Sequence, residues 1–342
     1  MKNIPALDGI RGLAILLVLI FHWFPSTHWI NAIPNGPIGV TLFFVLSGFL
    51  ITQILLVNKA KHSFLTNLKN FLARRALRIF PIYYAILIGL FFLKKFHIEV
   101  QTDLYENPIP YFLYVYNHLL ESTQNWSDQL SPNWSLSVEE QFYWIWPLLI
   151  LLFPKKNQIL KLIVTVIILG VIFRFYFIQI QQGIGVIMLT CIDCFAWGAL
   201  LAYCKIENIR LEKLFKWLLL PVFVIWIYIC TQTTDQDLIK ILFFRTTTSF
   251  LSAALIFYSF KSDILSTIFC FAPLTQIGKI SYGIYLFHMV IPDLFFIVLG
   301  KFHINLSETI SPWISAGVLF TFAYISFNLI EKPILGLKKY FE

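Results

Sequence analysis

The chain has 342 residues, 58% of them apolar and only 13% charged, with a mean hydropathy of +0.75. Soluble domains carry about 25% charged residues, so a soluble globular fold is excluded. At about 20 apolar residues per helical crossing plus a short connection, this length admits about ten crossings. Little is left for a soluble domain.

Ten apolar runs follow one another, at about 10–25, 37–57, 79–96, 137–153, 159–179, 184–204, 213–231, 239–260, 280–299 and 313–331. Residues 1–12 are too polar for the start of a signal peptide, and no small-residue cleavage site follows, so the first run is expected to remain in the mature protein. The net charge of +8 has a topological origin. Most of the 26 basic residues fall in alternate connections, among them Lys59, Arg74, Arg75, Arg78, Lys155, Lys156, Lys205, Arg210, Lys261 and Lys338, whereas the opposite set holds only Lys94, Lys95, Lys240 and Lys301. By the positive-inside rule both termini are cytoplasmic and the number of crossings is even. The expected fold is therefore an all-α integral membrane protein, a single bundle of about ten transmembrane helices over residues 1–342 with no soluble domain. Its surroundings are membrane lipid, and no nucleic-acid partner is expected.

The five cysteines lie in or at the edges of apolar runs, which offers no loop for a disulfide framework. Cys191-x-x-Cys194 lacks further ligands at zinc spacing, and Asp235-x-Asp237 reads as a solvated turn. No metal site is expected. Asn125-Trp-Ser127 and Asn133-Trp-Ser135 match the glycosylation sequon and are read as coincidental.

An ionisable group inside a crossing costs at least about 2.5–3.5 kcal/mol on insertion scales and so calls for a partner or a task. In the first run Asp8, Arg11 and His22 share one helical stripe, with His22 about 16 Å beyond Arg11 toward the outside. A neutral imidazole there is able to take a proton from a hydroxyl near pH 7; the plainer reading is an anchor at the outer headgroups. Between the second and third runs Phe64, Leu65, Leu68, Phe71 and Leu72 line one face of a helix beside several cations, the pattern of an amphipathic helix in the cytoplasmic interface. It ends in Arg74, Arg75 and Arg78, three guanidiniums suited either to phosphates or to anionic lipid.

Residues 97–134 are external and aromatic, with Tyr105, Tyr111, Tyr114, Tyr116, Trp126 and Trp134 as interface anchors or as a platform for sugar rings. At the start of the fourth run Ser137 and Glu140 fit a capping box, which leaves Glu139 to orient a histidine or a substrate hydroxyl. Arg174, Asp193 and Arg245 are deeper, either an ion pair that fixes packing or the lining of a polar cavity. Ser281, Tyr285 and His288 form a polar stripe on the ninth run, with His288 read as a bond between helices.

Taken together, Leu7-Asp-Gly-Ile-Arg11-Gly-Leu-Ala14 with His22, Phe43-Phe-Val-Leu-Ser-Gly-Phe-Leu-Ile51, Arg75-x-x-Arg78-Ile-Phe-Pro-Ile-Tyr-Tyr84, Asn133-Trp-Ser-Leu-Ser-Val-Glu-Glu-Gln-Phe-Tyr143, the segment around Asp193, Ser281-Tyr-Gly-Ile-Tyr285 with His288, and Glu331-Lys-Pro333 resemble the acyltransferase-3 family of membrane O-acyltransferases. The resemblance implies ten crossings in a bacterial inner membrane and transfer of an acyl group, acetyl by default, from cytoplasmic acetyl-CoA or another acyl-CoA. The acceptor it implies is a hydroxyl of a surface polysaccharide such as lipopolysaccharide, or of a lipid-linked glycan. Carried over by position, His22 is the catalytic residue, with Arg11 in the same stripe and Arg75 and Arg78 at the donor. Trp134 and Glu139 belong to the acceptor site, and Glu140 and Tyr143 flank them. Many members carry a further soluble domain; with the chain ending at Glu342, the expectation is that the acceptor is handled by the membrane domain alone or with a separate partner. No resident cofactor is expected, acyl-CoA being a substrate.

These readings combine into one chemical expectation. His22 acts as general base or as acyl carrier, with Glu139 or Asp8 orienting, and Arg74, Arg75 and Arg78 hold the donor. The rival reading from another class is a multi-span transporter or flippase, since buried Arg, Asp and His also mark solute paths; it predicts repeated halves with broken helices, and no such internal symmetry is visible. A lipid-linked-sugar glycosyltransferase would rest on Asp235 and Asp237 alone.

Overall fold

A computed structural model describes residues 4–59, 61–180, 185–232, 237–304 and 310–341. Among them every regular element is helical and no strand occurs. In chain order the helices are α1 (Pro5–Trp23), α2 (Asn35–Lys59), α3 (Phe64–Lys94), α4 (Pro108–Phe112), α5 (Tyr116–Thr123), α6 (Asn133–Leu152), α7 (Lys156–Gln179), α8 (Ile192–Ile206), α9 (Glu212–Thr231), α10 (Leu238–Ser259), α11 (Asp263–Phe269), α12 (Ala272–Lys279), α13 (Ser281–Phe287), α14 (Val290–Lys301), α15 (Ser311–Ser326) and α16 (Lys332–Leu335), with a π-helical stretch, Phe327–Glu331, between the last two.

Among the described residues seven helices are long and apolar enough to cross a membrane, and an eighth crossing arises if α13 and α14, bent by 51° at their junction, act as one. The protein is a multi-pass membrane protein. Two of the ten predicted runs fall outside this set. The fourth corresponds to α6, whose apolar run is diluted by Glu139, Glu140 and Pro147. The sixth corresponds to α8, whose 15 residues fall short of the roughly 20 a crossing needs.

The chain divides into two compact units, one of residues 1–68 and 138–279, the other of residues 69–137 and 280–342. In the first unit α2 packs on α8 through glycines. A Cβ on Gly198 would stand 2.0 Å from the Val45 carbonyl oxygen, so only glycine lets these backbones touch, the small-residue contact typical of membrane helices. The ends of several helices are tied to one side of this unit. The Lys59 ammonium at the end of α2 donates to the Ile150 carbonyl (2.7 Å) and to that of Phe153, the Lys156 ammonium lies 2.7 Å from Glu207, and Lys261 pairs with Glu212. Thus α6 runs parallel to α2, and α8 returns to the side that α7 left.

The shortness of α8 has a physical cause. Asp193 in its first turn touches Gly170, where a Cβ would be 2.7 Å from the Asp193 Cβ, and Gly170 lies nine residues before the end of α7, about 14 Å below it. Residues 185–191, which hold only a single 3-10 turn at Met188–Thr190, therefore carry backbone outside an α-helix to that depth, which is tolerated only where protein groups meet its hydrogen-bonding needs.

In the second unit α3 is continuous for 31 residues, about 46 Å, against a hydrocarbon core of about 30 Å. The expected surface helix and the third crossing are one element. No Gly or Pro interrupts Phe64–Phe80, so nothing stops the amphipathic segment from propagating into the apolar run. The segment 97–132 also differs from a surface loop. Tyr83 and Tyr84 donate to the carbonyls of Tyr111 (2.8 Å) and Phe112 (3.0 Å), and they lie at least ten residues before Lys94, about 15 Å down α3. Tyr111, Tyr114 and Tyr116 are consequently buried, and only Trp126 of the expected platform is well exposed, at 53%.

This folded cap is built on Asp128, which is fully buried. Its carboxylate accepts from the Tyr111 hydroxyl and from the backbone N–H groups of Asp103 (3.1 Å) and Leu130 (2.6 Å), while the Tyr111 and Tyr116 rings stack at 4.3 Å. Burial pushes the Asp128 carboxyl above its ordinary value. Burial first, then the Asp128 charge, drive both phenols upward, so both stay protonated and Tyr111 remains a donor to Asp128.

Candidate active site

The first crossing is unbroken from Pro5 to Trp23, which puts Asp8, Arg11 and His22 on one stripe. The Arg11 guanidinium donates to the Asp8 carboxylate at 2.5 Å. This pair sits where α1 meets α12: a Cβ on Gly278 would stand 1.7 Å from the Asp8 carbonyl oxygen, so the glycine sets how closely Asp8 is held. His22 is half-buried in the last turn, edge-on to the Phe21 ring at 5.1 Å.

A second polar group forms between α2 and α6. Glu139 accepts from the Ser47 hydroxyl (2.9 Å) and the Tyr143 hydroxyl (2.7 Å). Ser47 lies inside the Phe43–Ile51 run, where a single serine among apolar neighbours carries no signal of its own, and sequence reasoning assigned it no task. Cβ atoms built on Gly36 and Gly39 would meet Phe21 and the Ala14 carbonyl respectively, which fixes α1 and α2 as antiparallel neighbours. Ser47, eight residues past Gly39, lies about 12 Å further along α2, at the level of Ile10 and Arg11. The geometry thus brings Glu139 to the depth of the Asp8–Arg11 pair and not to that of His22.

The capping box expected at Ser137 and Glu140 does not form. The helix starts four residues earlier, at Asn133, so the Ser137 hydroxyl lies inside it and donates to the Asn133 carbonyl at 3.3 Å. Glu140, Tyr143 and Trp134, the second residue of α6, are buried.

Arg174 and Asp193 settle into the packing arrangement. All five N–H donors of a guanidinium are used: two reach the Asp193 carboxylate (2.9 and 2.8 Å), and the others reach the carbonyls of Leu242 (2.9 Å) and Thr190 (2.7 Å) and the Thr246 hydroxyl (2.6 Å). Arg245 donates to the Gly185 carbonyl at 2.5 Å. Through Thr190 and Gly185 these arginines meet carbonyls of the segment that leads into α8, and Arg174 keeps no donor for a ligand.

In the second unit Arg74, Arg75 and Arg78 are half-buried on successive turns of α3, with the Arg75 guanidinium 5.5 Å from the Phe71 ring centroid. Ser281 opens α13 and is buried. The Tyr285 hydroxyl lies 3.0 Å from the Pro132 carbonyl and 2.5 Å from the Ser135 hydroxyl, and His288 Nδ1 is 2.6 Å from the Tyr285 carbonyl at the bend before α14. This Nδ1 contact closes the end of His288's own helix and satisfies a carbonyl that the bend releases. Among the described residues no group of His, Cys, Asp and Glu has the arrangement of a metal site. Asp235 lies outside the described residues, and Asp237 caps α10 by accepting from the Lys240 N–H at 2.8 Å.

Comparison with known proteins adds to this geometry. The pattern of the acyltransferase domain family matches residues 4–330. The chain is 30% identical to the peptidoglycan O-acetyltransferase OatA of Listeria monocytogenes, covering all of this chain and 57% of that protein. It is 27% identical to the putative peptidoglycan O-acetyltransferase YrhL of Bacillus subtilis and to the O-acetyltransferase OatA of Staphylococcus aureus, with 97% of this chain covered in each case and 55% and 57% of those proteins. The chain thus spans little more than half the length of these relatives. No solved structure matches.

Proposed function

The chain belongs to the acyltransferase family that it matches over residues 4–330, and from that premise we propose that it is a membrane O-acetyltransferase that carries acetyl from cytoplasmic acyl-CoA to a hydroxyl of a surface glycan. The acceptor class is peptidoglycan or a lipid-linked precursor of it, since the relatives are named peptidoglycan O-acetyltransferases. In this reading α6 and α8 complete ten crossings with both termini in the cytoplasm of a bacterial cell.

The observation that carries the mechanism is the single unbroken helix bearing the Asp8–Arg11 pair at one end and half-buried His22 at the other. His22 takes the proton of the acceptor hydroxyl; the oxygen attacks the thioester carbonyl, the carbon–sulfur bond breaks, and the thiolate of the donor recovers a proton. Transfer through an acyl-histidine is the two-step version of the same chemistry. Arg74, Arg75 and Arg78 hold the donor's phosphates, because guanidiniums bind phosphate oxygens bidentately. Glu139, level with Arg11, orients groups along the path of the thioester arm.

The test is acetyl transfer from acetyl-CoA to a peptidoglycan fragment by the purified protein. His22→Ala is expected to lower the rate at least about 100-fold, the usual range for loss of a general base, with the donor KM little changed. A variant that transfers at the normal rate would reject both versions of the mechanism.

A further inference from the structure

Glu331 has been given no task so far, and its surroundings call for one. It closes the π-helical stretch Phe327–Glu331, a local widening that is frequent at functional sites. It is buried, 7% exposed, and among the described residues its Oε1 accepts no hydrogen bond. Leaving such an oxygen unmet costs free energy, so the arrangement needs a purpose.

Its neighbours lie at the donor arginines. A Cβ on Gly283 would stand 3.3 Å from Glu331 Oε1, and the charge of Arg78 reaches the carboxylate without a direct ion pair between them among the described residues. Next to both, the Tyr282 hydroxyl donates to the Ile79 carbonyl at 2.8 Å, which pins α13 to α3 one residue from Gly283 and one from Arg78. Among the described residues no hydrogen bond occupies the five guanidinium donors of Arg78, and they are left to point at a ligand.

We propose that Glu331 is a positioning residue: its carboxylate, given room by Gly283 and by the π-helical turn, orients the Arg78 guanidinium toward the phosphates of the thioester donor. This rests on the donor assignment of the preceding subsection. A purely structural Glu331 would affect every substrate alike, whereas a positioning role acts only on donors that carry phosphate.

The experiment compares two donors on the full-length protein in detergent, acetyl-CoA and the phosphate-free S-acetylpantetheine. Glu331→Gln, which keeps the shape and removes the charge, is expected to raise KM for acetyl-CoA about 10-fold, the scale of one charge-assisted contact. Its kcat stays within about twofold and its KM for acetylpantetheine is unchanged. Glu331→Asp restores most of the affinity. In an Arg78→Gln background Glu331→Gln adds nothing. Equal effects on both donors, or no effect on either, overturn the inference and leave the donor assignment standing. If the unaltered protein turns over neither thioester, the donor assignment falls and this inference falls with it.

Discussion

A guanidinium inside a membrane bundle is tolerable only when its donors are met, and Arg174 meets five acceptors with five donors. Lysine has three donors and no planar fork, so the site demands arginine. Replacing one member of a buried ion pair leaves the other uncompensated, at a cost of about 3–5 kcal/mol. Arg174→Met and Asp193→Asn are each expected to lower the unfolding midpoint of the detergent-solubilised protein, and the double variant is expected to cost less than the two single effects added together. Additive effects would show that the two residues act independently. The sequence announced part of this, because charges inside apolar runs 19 residues apart are conspicuous. The carbonyls of Thr190 and Gly185 were not legible: no residue type marks a place where the backbone leaves the α-helix and needs outside donors. Ser47 was missed for the opposite reason, since one serine in an apolar run is common and only the approach of Glu139 gives it meaning.

At the scale of elements, the apolar runs located the long helices well because burial in lipid and helix formation demand the same residues. Boundaries were lost where a polar stretch continues a helix. The amphipathic segment 64–78 joins the third crossing because nothing breaks it, and α6 begins ahead of its apolar run, so the Ser137 cap was misplaced. The cap of residues 97–132 was read as a surface because its aromatics look like interface anchors; Asp128 supplies three acceptor bonds that draw it inward. The folded state raises the Asp128 pKa above the ordinary 3.8, so the folded cap binds its proton more tightly than the unfolded chain does. The stability this contributes is fully present below the ordinary carboxylate value and is lost as pH rises through the folded value. Protease cleavage of the cap is therefore expected to be slower at mildly acidic pH than at pH 8, and Asp128→Asn is expected to remove that dependence. An unchanged pH dependence in the variant would assign it to another group.

At the scale of the whole molecule, the question is whether α6 and α8 cross, because each decides on which side the rest of the chain lies. α6 falls short as a crossing in hydropathy and α8 in length, yet the ties at their ends speak for both. Lys59 at the end of α2 reaches the carbonyls that end α6, and Lys156 at the start of α7 reaches Glu207 just past α8. In the other unit the Lys301 ammonium at the end of α14 donates to the Phe96 carbonyl just past α3 at 3.0 Å, so those two helices also finish on a common side. A short α8 suffices because the chain has already descended about 14 Å before the helix begins, leaving about 22 Å for its 15 residues at 1.5 Å each. Single cysteines on a cysteine-free background make the test, with a membrane-impermeant maleimide applied to intact cells. Gln124→Cys in the cap and Phe302→Cys after α14 are expected to label from outside, whereas Ile209→Cys after α8 and Tyr340→Cys near the end are expected to label only after the cells are opened. Outside labelling at Ile209 would show that one of α6 and α8 fails to cross. The number of crossings ahead of it would then be odd, and the basic residues Lys205, Arg210, Lys213 and Lys216 would lie on the face that the positive-inside rule disfavours.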